Sequence, residues 1–304
     1  MSFSASDVKA LREKTGCGMM DCKKALTEAN GQMEAAIDIL REKGLAAATK
    51  KSGRIAAEGV AFAYTNEEGN IGVVIEVNAE TDFVAKNEDF KSFVKLCADT
   101  VIEKAPSSVE ELLTMEASGS DKTVESLLQE KILVIGENIK IRRFERYEGV
   151  LSTYIHAGGK IGVMVKFDTT SEVASKEEFK TYAKDVAMQI AAVNPLYLTK
   201  EDVPEEVLEH EKKILREQII NDGKPEAIAE KIVSGRIGKF YKENCLVDQV
   251  FVKDNSLTVS QLTENIGKEL GAEISIVKFV RFEKGEGLEK REDNFADEVA
   301  SMVK

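Results

Sequence analysis

The sequence predicts an α+β protein in which one sheet-and-helix unit is made twice, three helices precede the pair, and a helical hairpin interrupts the second copy. Three observations carry this. Gly59-Val60, Tyr64 and Ile71-Gly72-Val73 recur ninety positions later as Gly149-Val150, Tyr154 and Ile161-Gly162-Val163, the mark of an internal duplication. After a one-residue deletion the match resumes at an offset of 89, where Phe90, Phe93, Val94, Cys97, Ala98 and Val101 answer Phe179, Tyr182, Ala183, Val186, Ala187 and Ile190. Both sets follow i, i+3, i+4, i+7, i+8, i+11, which is one face of a helix. Thr123-Val124, Leu127, Gly136, Ile139 and Ile141 then reappear at an offset of 135 as Thr258-Val259, Leu262, Gly271, Ile274 and Ile276, so the second copy carries about 45 additional residues between its helices.

Ser4-Ala5-Ser6 caps a helix to Thr15 with Val8 and Leu11 inward, a second starts near Met20 and ends at Asn30-Gly31, and a third holds Ile37 and Leu40 and ends at Gly44. With the basic tether Lys50-Lys51-Ser52-Gly53-Arg54 these form a three-helix module, residues 1–54, whose small core predicts modest stability alone. The first copy, 55–148, reads strand, strand, helix, helix, strand, with strands at 59–65, 71–78 and 139–147. Val73, Ile75 and Val77 alternate with Val74 and Glu76, as in a three-stranded antiparallel sheet with helices on one face and water on the other. The second copy, 149–283, contains the insertion at 199–245. There Pro204 starts a helix, Asp222-Gly223-Lys224-Pro225 turns and restarts it, and each arm has one narrow apolar stripe, giving an antiparallel coiled-coil hairpin. Residues 284–304 remain as a C-terminal helical module.

Composition excludes several functions. No apolar run is long enough to span a bilayer, no signal peptide is expected, and four cysteines at 17, 22, 97 and 245 lack metal-ligand spacing, so a reduced, cytoplasmic setting is expected. A net charge of −12 argues against direct nucleic-acid binding, which needs clustered cations. The two histidines, His156 and His210, have no partner at a spacing that makes a metal site or a nucleophile pair. Gly158-Gly159-Lys160 opens onto a strand and lacks the order of a phosphate loop. The expectation is a binding protein without catalytic residues, cofactor, metal or direct nucleotide binding.

Exposed apolar residues are where such a protein binds. Met19-Met20 follow Gly18 at a helix start, where polar caps are usual. Phe83 lies in a loop, Thr81-Asp82-Phe83-Val84-Ala85-Lys86-Asn87, whose counterpart Ser171-Glu172-Val173-Ala174-Ser175-Lys176 has no aromatic. Each also has a plain structural reading, as a hydrophobic staple packed against its own helix.

Thr15-Gly16-Cys17-Gly18-Met19-Met20-Asp21-Cys22-Lys23-Lys24-Ala25-Leu26, Thr81 to Asn87, Ile135-Gly136-Glu137-Asn138-Ile139 and Arg281-Phe282-Glu283-Lys284-Gly285-Glu286-Gly287 closely resemble the elongation factor Ts family, the bacterial guanine-nucleotide exchange factors for elongation factor Tu. The resemblance runs from about residue 5 to the C-terminus. It implies a ubiquitin-associated-like N-terminal module, two related subdomains, a coiled-coil insertion and a C-terminal helical module. It further implies that Thr81, Asp82, Phe83 and Val84 work beside the nucleotide site of GDP-bound elongation factor Tu and help displace its magnesium. Arg12, Met19 and Met20 would touch the partner's GTPase domain, Ile135 and Gly136 would lie near its phosphate loop, and His156 would meet another of its domains. Gln249 to Lys253 matches a further contacting segment, with Lys253 in place of an apolar residue. Two alternatives stand beside this reading: binding of ubiquitin-like proteins by the N-terminal module, and a scaffold or homodimer formed through the coiled-coil hairpin.

Overall fold

A computed structural model of the chain describes residues 3–289. Three helices come first: α1 (Ala5–Thr15), α2 (Met19–Glu28) and α3 (Met33–Lys51). Ser4 caps α1 through a reciprocal bond with Asp7, and Gly16 closes it in the left-handed conformation. Gly44 does not end α3, which runs seven residues further to Lys51. A Cβ at Gly44 would lie 3.4 Å from the backbone oxygen of Gln129, so the glycine permits close helix packing there. The first two residues of the expected tether, Lys50 and Lys51, are therefore helical, and Ser52 to Ala57 link the module to the first strand.

The first copy comprises β1 (Glu58–Thr65), β2 (Ile71–Ala79), α4 (Asp82–Lys86), α5 (Glu88–Lys104), α6 (Val109–Thr114), α7 (Val124–Ile135) and β3 (Lys140–Glu148). Its sheet is antiparallel in the order β1-β2-β3. Val73, Ile75 and Val77 face α5, meeting Phe90, Val94 and Val101. Helix α7 is apolar on two sides because it has two neighbours: Leu127, Leu128 and Ile135 pack into this core, while Leu133 and Val134 pack on the core of the three-helix module.

The second copy repeats the plan with β4 (Val150–His156), β5 (Ile161–Asp168), α8 (Ser171–Ser175) and α9 (Glu177–Val193). The inserted arms are α10 (Glu205–Asn221) and α11 (Glu226–Asn244), followed by a small hairpin, β6 (Val250–Phe251) and β7 (Asp254–Thr258), which the sequence pattern does not reveal. Then come α12 (Val259–Leu270) and β8 (Ser275–Glu283), completing the antiparallel sheet β4-β5-β8. The arms meet along Leu215, Ile219, Ala229, Val233 and Ile237, and backbone bonds from Leu196 and Tyr197 to Asn244 close their base. Of the expected C-terminal module, residues 290–304 lie outside the described residues; residues 284–288 form a turn.

The expectation of one wet sheet face is overturned. The two sheets pack against each other on the faces away from their helices, burying Ala61, Ala63, Val74 and Tyr147 against Met164, Val280 and Phe282. The recurring glycines make this approach possible. A Cβ at Gly72 would lie 2.6 Å from Met164 Sδ, and one at Gly162 would lie 3.1 Å from the backbone oxygen of Ala61 and 3.2 Å from Val74. Side-chain ends can move aside and backbone cannot. Gly162→Ala should therefore cost about 1–3 kcal/mol of overpacking and Gly72→Ala clearly less, as read from urea unfolding midpoints; the reverse ranking would contradict this packing.

Glu76 belongs to that buried face and is 0% exposed. Its carboxylate accepts from Arg142 Nη1 at 2.9 Å, Arg143 Nε at 2.6 Å, Asn78 Nδ2 at 3.1 Å and the backbone N–H of Gly285 at 2.8 Å. Arg142 also donates to the carbonyl of Glu286 at 2.6 Å, and Lys284 pairs with Glu58. The turn after β8 is thus clipped onto the first sheet, in a charge-assisted network that joins the two copies.

Candidate functional site

Thr81 caps α4, accepting from Val84 N at 3.4 Å, so the Thr-Asp-Phe-Val segment is the first turn of a short helix. Val84 is the inward residue of that turn, and Phe83 is 79% exposed. The staple reading of Phe83 therefore fails. Lys86 bonds Asp82 at 2.7 Å and stands 5.9 Å from the centre of the Phe83 ring. The bond to Lys86 holds the Asp82 carboxyl below its usual range.

The two copies align here with a shift from the sequence reading. Thr170, not Ser171, caps α8, accepting from Val173 N at 3.3 Å. The equivalence is then Thr81 with Thr170, Phe83 with Glu172, and Val84 with Val173. Val84 and Val173 are both buried, while Phe83 and Glu172 are both exposed. The fold asks for nothing apolar at position 83. That residue is free to serve a partner.

Ile135 and Gly136 are brought beside this turn. Gly136 ends α7 with φ of 83°, a left-handed cap that suits glycine, and nothing lies within 4 Å of where its Cβ would be. Two carboxylates, which the sequence reading did not single out, stitch the segments together: Glu137 accepts from the backbone and hydroxyl of Thr81, and Glu80 accepts from Asn138 N at 2.7 Å and Arg54 Nη1 at 3.3 Å. In the sequence Glu137 lies within the Ile135 to Ile139 motif and Glu80 directly precedes the Thr81 to Asn87 motif.

Met19 and Met20 begin α2 behind Gly18, which supplies no side-chain cap, and are 46% and 61% exposed, so they are not staples. The preceding loop lies against α7, with Gly16 beside Val134. Arg12, exposed on α1, accepts the Gly16 N–H through its carbonyl. The loop between α1 and α2 is thus placed, through Gly16, against the last turn of α7, which Ile135 and Gly136 end. His156 is not among them. It ends β4 in the second sheet, exposed, with Nδ1 3.1 Å from the hydroxyl of Tyr154.

The Gln249 to Lys253 segment is held by Gln189, whose buried amide bonds Gln249 Oε1, the carbonyl of Val250 and the N–H of Val252. Val250 and Val252 face outward. Lys253 is tied to Asp185 at 2.7 Å, so it cannot fill the apolar role without breaking that pair. The four cysteines are free and buried, and burial pushes the Cys245 thiol up to about 11. Among the described residues no cluster of His, Cys, Asp and Glu could hold a metal, and no helix is long and apolar enough to cross a membrane.

The family model for elongation factor TS matches residues 80–286, from the loop before α4 to the turn after β8. The chain belongs to the elongation factor Ts family. It is accordingly a translation elongation factor. Among relatives, it is 54% identical to elongation factor Ts of Clostridium perfringens (strain SM101 / Type A), over 99% of each chain. It is 52% identical to that of Clostridium kluyveri (strain ATCC 8527), again over 99% of each, and 50% identical to that of Trichlorobacter lovleyi over 100% of this chain and 99% of the relative. The relatives therefore also cover the three-helix module and the first two strands, which precede the matched region.

Proposed function

We propose that the chain is a guanine-nucleotide exchange factor that binds GDP-bound elongation factor Tu in the cytoplasm, helps displace its magnesium, and releases GDP so that GTP can rebind. The exposed aromatic at Phe83, in a position where the second copy carries Glu172, is the observation that supports this most. A GTPase holds GDP through phosphate-loop amides, a lysine and magnesium. Phe83 entering a pocket of the opened partner would supply about 1.5–3 kcal/mol of hydrophobic free energy, available only to the form that has lost its grip on the nucleotide. Asp82 would tie down donors that otherwise face the phosphates, with Thr81 and Val84 fixing the turn. Ile135 and Gly136, beside that turn, would press near the phosphate loop, while Arg12, Met19 and Met20 hold the GTPase domain. His156, on the other sheet, suits a second contact with a different domain.

No bond is made or broken in this scheme. The factor and GDP weaken each other's binding by the same ratio, because linkage is reciprocal. Stopped-flow release of fluorescent GDP from elongation factor Tu, with and without the chain, tests the reading; no acceleration would overturn it. The magnesium component has its own expected result. The advantage of the natural chain over Phe83→Ala should shrink as free magnesium falls, because chelation does part of the wedge's work. A ratio that stays flat across magnesium concentrations would sink the magnesium-centred mechanism and leave exchange standing.

A further inference from the structure

The turn that carries Phe83 is held from outside by a carboxylate that the second copy lacks. Glu137 follows the left-handed cap of α7, and its two oxygens accept from Thr81: Oε2 from the backbone N–H at 3.0 Å and Oε1 from the hydroxyl at 2.7 Å. With its proton committed to Glu137, the Thr81 hydroxyl has its lone pairs left for the N–H of Val84, 3.4 Å away. Phe83 lies between these two residues. In the second copy the cap offset of 135 places Ala272 at the position of Glu137, and among the described residues Thr170 has no such carboxylate acceptor. There, one weaker tie joins the segments, from the Thr169 hydroxyl to the carbonyl of Glu273 at 3.0 Å.

Even so, α8 forms with the same threonine cap and the same buried valine as α4. The turn folds without the carboxylate. Both features of the first copy that the fold does not need, Phe83 and Glu137, occur together, and both are replaced together, by Glu172 and Ala272. We propose that Glu137 is a positioning residue for exchange: its carboxylate locks Thr81 and thereby aims Phe83, in fixed relation to Ile135 and Gly136, at the partner. The inference rests on the exchange reading, since it assigns a role within that same site. It differs from a stabilising role because Glu137 acts only through the direction of the Phe83 side chain, and a misaimed group loses rate more than binding.

A double-mutant cycle decides this. The natural chain, Glu137→Ala, Phe83→Ala and the double variant are compared as full-length proteins in release of fluorescent GDP from elongation factor Tu, titrated to saturation. Glu137→Ala should lower the saturating rate by about tenfold and move the half-saturating concentration by less than about threefold, with unchanged circular dichroism. In the Phe83→Ala background the same substitution should have almost no effect. An unchanged saturating rate for Glu137→Ala overturns the proposal, and so do effects that simply multiply in the double variant. If Glu137→Ala does not fold, Glu137→Gln, which can accept only one of the two bonds, carries the same cycle with the same criteria. Failure of the natural chain to accelerate release overturns the exchange reading, and this inference with it; acceleration by the natural chain with a multiplicative cycle overturns only the inference.

Discussion

Phe83→Ala is expected to slow GDP release from elongation factor Tu by about 10- to 100-fold, the kinetic equivalent of about 1.5–3 kcal/mol of apolar burial. Its own fold should be untouched. The ring is 79% exposed in the free protein, and substitutions at such positions usually change stability by no more than about 0.5 kcal/mol. Circular dichroism and the unfolding midpoint therefore serve as controls, and stopped-flow fluorescence reads the effect. Phe83→Glu, which installs the residue of the second copy, should be at least as slow, because a carboxylate cannot enter an apolar pocket uncharged without cost. Release as fast as that of the natural chain would remove Phe83 from the mechanism, whatever the family resemblance implies. Unfolding of Phe83→Ala would instead restore the staple reading.

Glu76→Gln should be the most destabilising single substitution considered. The change keeps the shape of the side chain and removes the charge that two guanidinium groups and the Gly285 N–H converge on. Breaking one partner of a buried pair commonly costs about 3–5 kcal/mol. Because Arg142 and Arg143 retain partial access to water, about 3 kcal/mol is the better expectation. For a chain of this size each kcal/mol moves the melting temperature by about 2–4 °C, so a loss of roughly 6–12 °C is expected. A thermal melt followed by circular dichroism measures it. A change under about 2 °C would mean that the cost of desolvating the carboxylate cancels its contacts, and that the turn after β8 is held by Lys284 and backbone bonds instead.

The duplication, the strands, the long helices and the hairpin were legible because periodicity and repeated spacing report directly on which faces are buried. What escaped was whatever depends on a neighbour outside the element. Val74 and Glu76 look like the wet side of a strand because alternation cannot tell water from a second sheet, and a glutamate suggested water. Gly44 looked like a helix end because glycine serves equally for a cap and for close packing against Gln129. In the candidate site, Phe83, Met19 and Met20 were visible as apolar residues in odd places, but exposure was needed to exclude their packing against their own helices. The one-residue slip at α8 came from tandem Thr170-Ser171, either of which can cap. Glu137 was invisible as an actor, since its partner Thr81 is 56 positions away and only folding makes them neighbours.

The contact between the two sheets has a reciprocity that reaches beyond packing. Gly72 of the first copy lies under Met164 of the second, and Gly162, the counterpart of Gly72, lies beside Val74, the counterpart of Met164. Residue meets residue and equivalent meets equivalent, as in an isologous interface between two identical subunits. In this one contact the molecule resembles a homodimer written on one chain. In a true dimer every substitution appears on both sides of the axis, so a tip aimed at a partner and a hairpin inserted near a helix would each be present twice. Covalent fusion lifts that constraint. One half can spend its loop on Phe83 and Glu137 while the other keeps Glu172 and Ala272 and accommodates the hairpin, and the shared interface holds both to a common frame.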